Sequence, residues 1–322
     1  MKKGKYLVHV FCLMVLIPAL SSVAYPQAKY PAKPIDIIVP YAPGGATDLV
    51  ARAIANSLKR KWRVPVNVIN KPGGNTLPAC VDVFNSSPDG YTLLTDNQAS
   101  SSMIGIVVKN LPFKVTDRTF IATAAITPNF LISASSSTFK TLKDIIEEAK
   151  RDPGSFTWTS IGGASPQDFT IRQFLKAIGV DVLKTKPIMV QGAAPAVSLT
   201  GGGHVKLGCG ATSSAMPGIQ GGTVRPLAYT WKERHPELPS VPTTAELGYP
   251  TVNCVYWVGI SGPAKLPPQI SQIWNDAIKA LMNDTEFLTS LKNVKAMPFY
   301  RDSQQTRDHV IQETKEVEEL WR

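Results

Sequence analysis

The sequence has few of the residues that metal centres and disulfide frameworks require. Its 322 residues include four cysteines and four histidines. Cys80, Cys209 and Cys254 lie outside the N-terminal stretch, and their spacing matches no metal-binding motif. Because an odd number of cysteines cannot pair completely within one chain, we expect buried free thiols, with a Cys209–Cys254 bridge as the alternative. We predict neither a metal ion nor a cofactor.

The motifs of common hydrolases and nucleotide-binding enzymes are also absent. There is no G-x-S-x-G elbow and no H-E-x-x-H pair. His204 and His235 have no acidic or nucleophilic neighbour at a recognised spacing, so we interpret both as surface or structural residues. These absences argue against an enzyme. A secreted hydrolase that uses Ser165 or Ser213 stays an alternative, because catalytic triads assemble in space and not in sequence.

Long apolar runs are scarce outside the N-terminus. Hydrophobic residues make up 43% of the chain and charged residues 18%, which is typical of a globular protein. Residues 6–20 are apolar, follow a basic start at residues 2–5 and precede small residues at positions 22–24. This pattern predicts a secretory signal peptide that is cleaved after Ala24, and an uncleaved anchor is the alternative.

The charge balance is moderately basic. Removal of residues 1–24 takes away Lys2, Lys3 and Lys5 and no acid, so the formal net charge falls from +10 to +7. This charge suits a protein that collects anions, but it also fits a solvated surface. Because no basic run is interleaved with aromatic residues, we predict no binding to nucleic acid.

The rest of the chain is best understood from residues 35–48. Ile35–Val39 is a short β-branched run that predicts a buried strand, which ends at Pro40 because proline cannot donate to a sheet. Apolar residues then recur at helical spacing over residues 49–58 and predict an amphipathic helix.

Two glycines separate this strand from this helix. Gly44 and Gly45 let a ligand approach the backbone closely, and Thr47 and Asp48 are the expected N-cap residues. Because a helix start has unpaired N–H groups and partial positive charge, the turn can bind a small anion. An ordinary turn between strand and helix is the alternative.

The second half of the chain repeats this pattern. A predicted strand at residues 156–161 is followed by Gly162, Gly163 and small residues, and then by a helix over residues 167–178. Alternation of strands and helices is typical of parallel sheets, whose ligands bind at the carboxyl ends of the strands. We therefore expect the two glycine turns to face each other across a cleft.

Short motifs occur in a fixed order along the chain. They are Y-P-x-K-P-I at residues 30–35, V-P-Y-x-P-G-G-x-T-D at 39–48, N-K-P-G at 70–73, P-D-G-Y-T at 88–92, G-x-A-P-A at 192–196, G-G-H-V at 202–205, R-P-L-A at 225–228 and L-P-x-V-P-T at 238–243. This series resembles the periplasmic receptors of tripartite tricarboxylate transporters, the TctC-like or Bug family. The resemblance spans essentially the whole mature chain.

The resemblance implies an α/β, periplasmic-binding-protein type II-like fold, with two α/β lobes and a ligand cleft between them. After the signal peptide at residues 1–24, the first lobe is expected at residues 25–126 and 253–322 and the second at 127–252. A C-terminal helix from residue 303 should pack on the outside of the first lobe. The expected protein is a periplasmic monomer that delivers a small organic carboxylate to membrane permease subunits. A ligand sensor for a histidine kinase is the alternative.

In relatives, the carboxylate lies between the Gly-Gly-x-Thr-Asp loop of the first lobe and the Gly-rich loop of the second. The predicted ligand-binding residues are Tyr41, Pro43, Gly44, Gly45, Ala46, Thr47, Asp48, Asn97 and Gln98 in the first lobe, and Gly162, Gly163, Ala164, Ser165, Gln167, Gln191 and Thr212 in the second.

The sequence departs from the family pattern in the second lobe. Gln167 and Gln191 are neutral where relatives often carry a small hydroxyl or a cation. An amide both donates and accepts hydrogen bonds, so we expect a ligand with one firmly held carboxylate and a less charged distal end. A second carboxylate would need Lys206 or an arginine to reach the cleft.

Overall fold

The computed structural model describes residues 30–162, 165–190 and 192–321. The predicted signal peptide, Gly163, Ala164 and Gln191 lie outside these ranges. The ten strands in the described residues are β1 Ile35–Val39, β2 Val66–Asn70, β3 Thr92–Asp96, β4 Thr119–Ala134, β5 Thr157–Ser160, β6 Lys186–Met189, β7 Gly208–Ala211, β8 Val224–Tyr229, β9 Val255–Gly262 and β10 Met297–Arg301.

Ten α-helices lie in the same ranges, and short 3-10 turns add to some of the connections. The helices are α1 Ala46–Trp62, α2 Leu77–Phe84, α3 Ile104–Val107, α4 Leu142–Arg151, α5 Pro166–Ala177, α6 Ala193–Gly201, α7 Thr212–Gln220, α8 Pro268–Leu281, α9 Thr285–Asn293 and α10 Ser303–Trp321. None of the helices described is long and apolar enough to cross a membrane.

One sheet runs through both halves of the molecule. Its strand order is β10-β4-β9-β3-β1-β2, and β7 and β8 pair with the far end of β4. β1 is parallel to β2 and β3, as the alternation of strands and helices predicts, whereas β9 is antiparallel to β3 and β4. β5 and β6 form a separate parallel pair. The 16-residue β4 therefore links the two halves, since it pairs with β9 at one end and with β7 and β8 at the other.

The hydrophobic side chains form two large clusters. One lies between the sheet around β1 and the helices α1 and α8, with Ile37, Ile54 and Trp274 fully buried. The other lies between α4, α5 and the β7–β8 side of β4, with Trp158 and Phe174 at its centre. Burying these side chains stabilises each half through the hydrophobic effect. The lobe boundaries near residues 126 and 253 stay predictions.

The C-terminal helix α10 contacts β9 and β10 of the predicted first lobe, as expected, and it also contacts α5. Trp257 of β9 donates to Glu313, while Arg172 of α5 donates to the carbonyl of Leu320 and stacks on the ring of Trp321. The apolar period of a helix shows which face is buried, but not which partners bury it.

The described cysteines Cys80, Cys209 and Cys254 are buried and free. The expectation of buried thiols is therefore confirmed, and the alternative bridge is not formed. Burial raises the pKa of each thiol, because it disfavours the charged thiolate.

Candidate functional site

The helix α1 begins differently from the prediction. Its N-cap is Gly45, which offers no side-chain hydrogen bond, whereas Thr47 and Asp48 lie buried inside the first turn. Both residues have other partners and are not needed as caps. The start of α1 is thus left without a side-chain acceptor of the usual N-cap type, which suits an anion from outside the chain.

Asp48 stabilises the turn before α1 through hydrogen bonds to its carboxylate. Its carboxylate accepts hydrogen bonds from the backbone N–H of Gly44 at 2.8 Å, from the amide of Asn70 at 2.8 Å and from Nε of Arg52 at 3.0 Å. Burial alone would raise the pKa of Asp48, but the bonds from Arg52, Gly44 and Asn70 outweigh burial and lower it. The carboxylate is therefore ionised at neutral pH and holds the turn in one conformation.

The two glycines of this turn have different roles. Gly44 has a φ of +87°, a conformation that residues with a Cβ rarely adopt. Gly45 has an ordinary φ of −76°, and an added Cβ would meet only the Ala42 carbonyl oxygen at 3.8 Å. Only Gly44 therefore requires glycine for its backbone, and a side chain at Gly45 would project into open space beside the exposed Pro43.

A network of hydroxyl and amide groups lies next to the turn. Tyr41 donates to the side-chain oxygen of Asn97 at 3.1 Å, and the Asn97 amide donates to the hydroxyl of Tyr256 at 3.1 Å. The hydroxyls of Thr47 and Tyr256 also bond each other. Burial raises the pKa of Tyr256 to about 12, so its hydroxyl stays neutral.

Gln98 belongs to the same loop but points away from the cleft. Its side chain donates to the carbonyl of Val255 and accepts from the N–H of Trp257 at 3.2 Å. It is fully buried and ties the loop to β9. We interpret Gln98 as a support for Asn97 rather than as a ligand contact.

The second glycine turn precedes α5. Ser165 is its N-cap and accepts from the N–H of Asp168 at 3.1 Å, while its hydroxyl donates to the carboxylate of Asp168 at 2.8 Å. Asp168 also accepts from the N–H of Ile161 at 2.8 Å. Both contacts of the Ser165 hydroxyl are those of a helix N-cap with its own first turn, which favours a structural role for Ser165.

The two turns border one cleft of about 390 Å³. Its lining residues are Pro40, Tyr41, Gly73, Asn75, Thr76, Ala99, Val107 and Tyr256 on the side of the first turn and Ile161, Gly162, Ser165, Pro166 and Gln167 on the side of the second. No charged side chain occurs among these lining residues. Of the first turn, Pro40 and Tyr41 line this cleft together with Gly162 and Ser165 of the second turn, whereas residues 43–48 are not among its lining residues. That Gly44 and Gly45 face the second turn stays a prediction.

Two second-lobe residues named from the sequence have other surroundings. Thr212 is buried and donates to the carbonyl of Pro128 at 2.8 Å, outside the cleft lining. Lys206 does not reach the cleft, because its ammonium pairs with Glu148 at 2.5 Å. Gln191, like Gly163 and Ala164, is not among the described residues.

Several lining residues were not predicted from the sequence. Tyr256 lines the cleft although it lies in β9, far along the chain from both turns. Asn75 and Thr76 have φ values of +52° and +71°, and Thr76 donates to the carbonyl of Ala99 at 3.3 Å. A β-branched residue with positive φ is unusual and is often found at functional sites. No sequence signal distinguishes such a threonine from an ordinary one.

Among the described residues, no group of three or more histidine, cysteine, aspartate or glutamate side chains could hold a metal ion. His204 is exposed, whereas the other two described histidines pack against aromatic rings. His235 lies between the rings of Phe130 and Tyr229, and burial lowers its pKa. His309 packs against Trp257. The polar groups that line the cleft are hydroxyl, amide and backbone groups.

Comparison with known proteins identifies relatives of similar sequence and fold. The protein BugT of Bordetella pertussis is 28% identical over 92% of this chain and 91% of its own. Among solved structures, the periplasmic binding protein BugD has a TM-score of 0.73 at 26% identity and covers 91% of this chain and 97% of its own. Rpa4515 of R. palustris, solved with adipate, has a TM-score of 0.74 at 25% identity and covers 90% of this chain and 97% of its own.

The fold of these neighbours confirms the expected α/β periplasmic-binding-protein architecture. The family model described as tripartite tricarboxylate transporter family receptor (TctC) matches residues 50–320. The match covers most of the chain and agrees with the series of motifs and with the cleft between two glycine turns. This chain therefore belongs to the TctC family of tripartite tricarboxylate transporter receptors, the family of the Bug solute-binding proteins.

Proposed function

We propose that the protein is an exported receptor that captures a small organic carboxylate and delivers it to the membrane subunits of a tripartite tricarboxylate transporter. The observation that supports this most directly is the start of α1, which has no side-chain cap and lies in a turn bordering an uncharged cleft. The adipate bound by the relative Rpa4515 is a small carboxylate. Export would use the predicted signal peptide at residues 1–24.

The binding mode follows from the groups at the turn. The carboxylate would accept from first-turn N–H groups around Ala46 and from the neutral hydroxyl of Tyr256, which lines the cleft. Charge-assisted hydrogen bonds contribute about 1.5–3 kcal/mol each. Three or four of them, less the cost of ordering and closure, give about −8 kcal/mol, which is a micromolar affinity.

The first prediction is that binding requires the negative charge. Adipate and hexanoate are suitable first ligands for a thermal-shift screen, because a ligand of the native state raises the melting temperature. We expect the better acid to bind at micromolar concentration and its neutral amide at least tenfold more weakly, about 1.4 kcal/mol. Isothermal titration calorimetry measures both. Equal affinities for acid and amide would remove the carboxylate from the mechanism.

A pair of glycine variants shows whether the ligand occupies the first turn. Gly45→Val adds a side chain without backbone strain, because Gly45 has an ordinary φ. The variant should weaken binding of the acid at least tenfold, again about 1.4 kcal/mol. Gly154→Val makes the same change outside the cleft and should leave affinity unaltered. If both variants bind like wild type, the turn is not the anion site.

The second prediction concerns selectivity. The Gln167 side chain is 8% exposed, lines the cleft and makes no hydrogen bond with the remainder of the described chain. Its amide is therefore available to the distal end of a ligand. We expect Gln167→Lys to increase the preference for adipate over hexanoate by about tenfold, or about 1.4 kcal/mol, because the lysine adds a cation for the second carboxylate. The affinity for hexanoate should stay within a few-fold of the wild-type value. Competition titration with the two acids measures this.

The matched control for charge is Gln272→Lys on the exposed face of α8, which should not change the preference. If wild type already prefers adipate strongly and Gln167→Lys has no effect, this explanation of selectivity is wrong. The corresponding prediction for Gln191 stays open, because that residue is not described.

A further inference from the structure

Glu313 of α10 is a buried acid outside the cleft. Its side chain is 5% exposed, and one carboxyl oxygen accepts from the hydroxyl of Ser102 at 2.5 Å and from the indole N–H of Trp257 at 3.1 Å. The first partner belongs to the loop after β3 and the second to β9. One carboxyl group thus joins three segments that are far apart in sequence.

The two partners of Glu313 adjoin residues of the cleft. Ser102 ends the loop that carries Asn97, and Trp257 directly follows Tyr256. The amide of Asn97 donates to the hydroxyl of Tyr256 at 3.1 Å. Gln98 strengthens the same connection, because it bonds the backbone of β9 on both sides of Tyr256. A change in the charge or position of the Glu313 carboxyl group therefore acts on Asn97 through the loop of Ser102 and on Tyr256 through Trp257.

Several charged or titratable groups face Glu313. On its own helix, His309 lies 3.7 Å from the second carboxyl oxygen, and burial lowers the pKa of His309 to about 3. Arg301 of β10 attracts the ionised carboxylate, whereas the buried thiol of Cys254 is neutral. Glu313 and Glu316 line one cavity, which is separate from the ligand cleft.

Burial has the largest effect on the pKa of Glu313. It raises the pKa of Glu313 to about 7, although the bonds from Ser102 and Trp257 and the charge of Arg301 favour the ionised form. Neutral His309 adds no positive charge at this pH. The carboxyl group therefore changes its charge in the neutral range, within the protein and next to the segments that form the cleft.

We propose that Glu313 is a positioning residue that couples ligand capture to proton uptake. In its neutral form it holds Ser102 and Trp257 in place without adding a buried negative charge behind the cleft. In its ionised form that charge disfavours an anionic ligand, because screening inside a protein is weak. By reciprocity, the anionic ligand favours protonation of Glu313. The inference rests on the proposed function, since it requires a carboxylate ligand.

The test is calorimetry of the intact mature protein with adipate or hexanoate, whichever binds wild type more tightly. The carboxyl groups of both acids are predominantly ionised between pH 6 and 8. We expect the dissociation constant of wild type to rise about three- to tenfold from pH 6 to pH 8. Titrations at pH 7 in buffers of different ionisation enthalpy should show uptake of a fraction of a proton.

Three variants separate positioning from simple stability. Glu313→Gln keeps an acceptor for Ser102 and Trp257 but cannot ionise, so its affinity should stay near the wild-type value at pH 6, without pH dependence or proton uptake. Glu313→Leu removes the acceptor and should bind at least tenfold more weakly at both pH values. Glu316→Gln removes a charge from the same helix and should keep the wild-type pH dependence.

Constant wild-type affinity between pH 6 and 8, or wild-type pH dependence in Glu313→Gln, would overturn this inference alone. Failure of every carboxylate to bind wild type at any pH would instead contradict the proposed function, and with it this inference.

Discussion

Replacing Arg118 by methionine is expected to lower the free energy of unfolding by about 3–5 kcal/mol. The Arg118 side chain is fully buried, lies 3.4 Å from the carboxylate of Asp96 and donates to the carbonyl of Ser100 at 2.9 Å and to the hydroxyl of Ser101 at 2.6 Å. Removing the guanidinium leaves the Asp96 carboxylate, 1% exposed, without a cation. Equilibrium denaturation in urea, with the ligand omitted, measures the loss.

The control for this prediction is Arg60→Met, which removes an exposed arginine from its pairs with Asp284 and Glu286. Exposed pairs contribute less than about 1 kcal/mol, so the control should differ little from wild type. A loss below about 1 kcal/mol for Arg118→Met would show that the hydrogen bonds from Asn97, Ser100 and Ser101 satisfy the Asp96 carboxylate without the guanidinium.

Replacing Asp48 by alanine is expected to weaken carboxylate binding by about 100-fold, or 2.7 kcal/mol. The carboxylate holds Gly44, Asn70 and Arg52 together beneath the start of α1. Without it, the Gly44 N–H loses its acceptor and the Asn70 amide keeps only the carbonyl of Tyr41, so the turn no longer presents its remaining N–H groups in one arrangement. Calorimetry with adipate or hexanoate gives the loss, and circular dichroism checks that the fold is retained.

The pH dependence of this effect differs from that of Glu313. The folded-state pKa of Asp48 is lowered, so its stabilising contribution is fully present above the pKa of the unfolded residue, about 3.9, and is lost only as pH falls through the folded value. The effect of Asp48→Ala should therefore be equal at pH 6 and pH 8.

The control for Asp48 is Asp82→Ala, which breaks an exposed ion pair with Lys71 in which both side chains are 43% exposed. It should leave affinity unchanged, since exposed pairs contribute little. Binding of Asp48→Ala within a few-fold of wild type would show that the turn keeps its conformation without the carboxylate.

Local patterns accounted well for the first turn. The run Ile35–Val39 forms β1 as expected, because β-branched residues with a following proline leave few other conformations. The second turn also lies before a helix, as predicted, with Ser165 as its cap. The predicted N-cap of α1 was wrong by two or three residues, because Gly45 is the N-cap instead of Thr47 or Asp48. N-cap propensity does not show that the Asp48 carboxylate has partners in β2 and α1.

Other site residues could not be inferred from local patterns. Tyr256 and Asn97 are 159 residues apart, and only the pairing of β3, β9 and β1 brings their side chains together. Thr212 shows the reverse case: it was predicted as a ligand-binding residue, but its hydroxyl donates to the carbonyl of Pro128 in β4.

The sequence by itself determined the family, the alternation of strands and helices, and the two glycine turns, because each depends on residues that are neighbours along the chain. The tertiary structure decided which side chains share the cleft, that Lys206 pairs with Glu148 outside it, and that Glu313 lies behind it. These features depend on burial and on contacts between distant segments, and neither is encoded in a local pattern of residues.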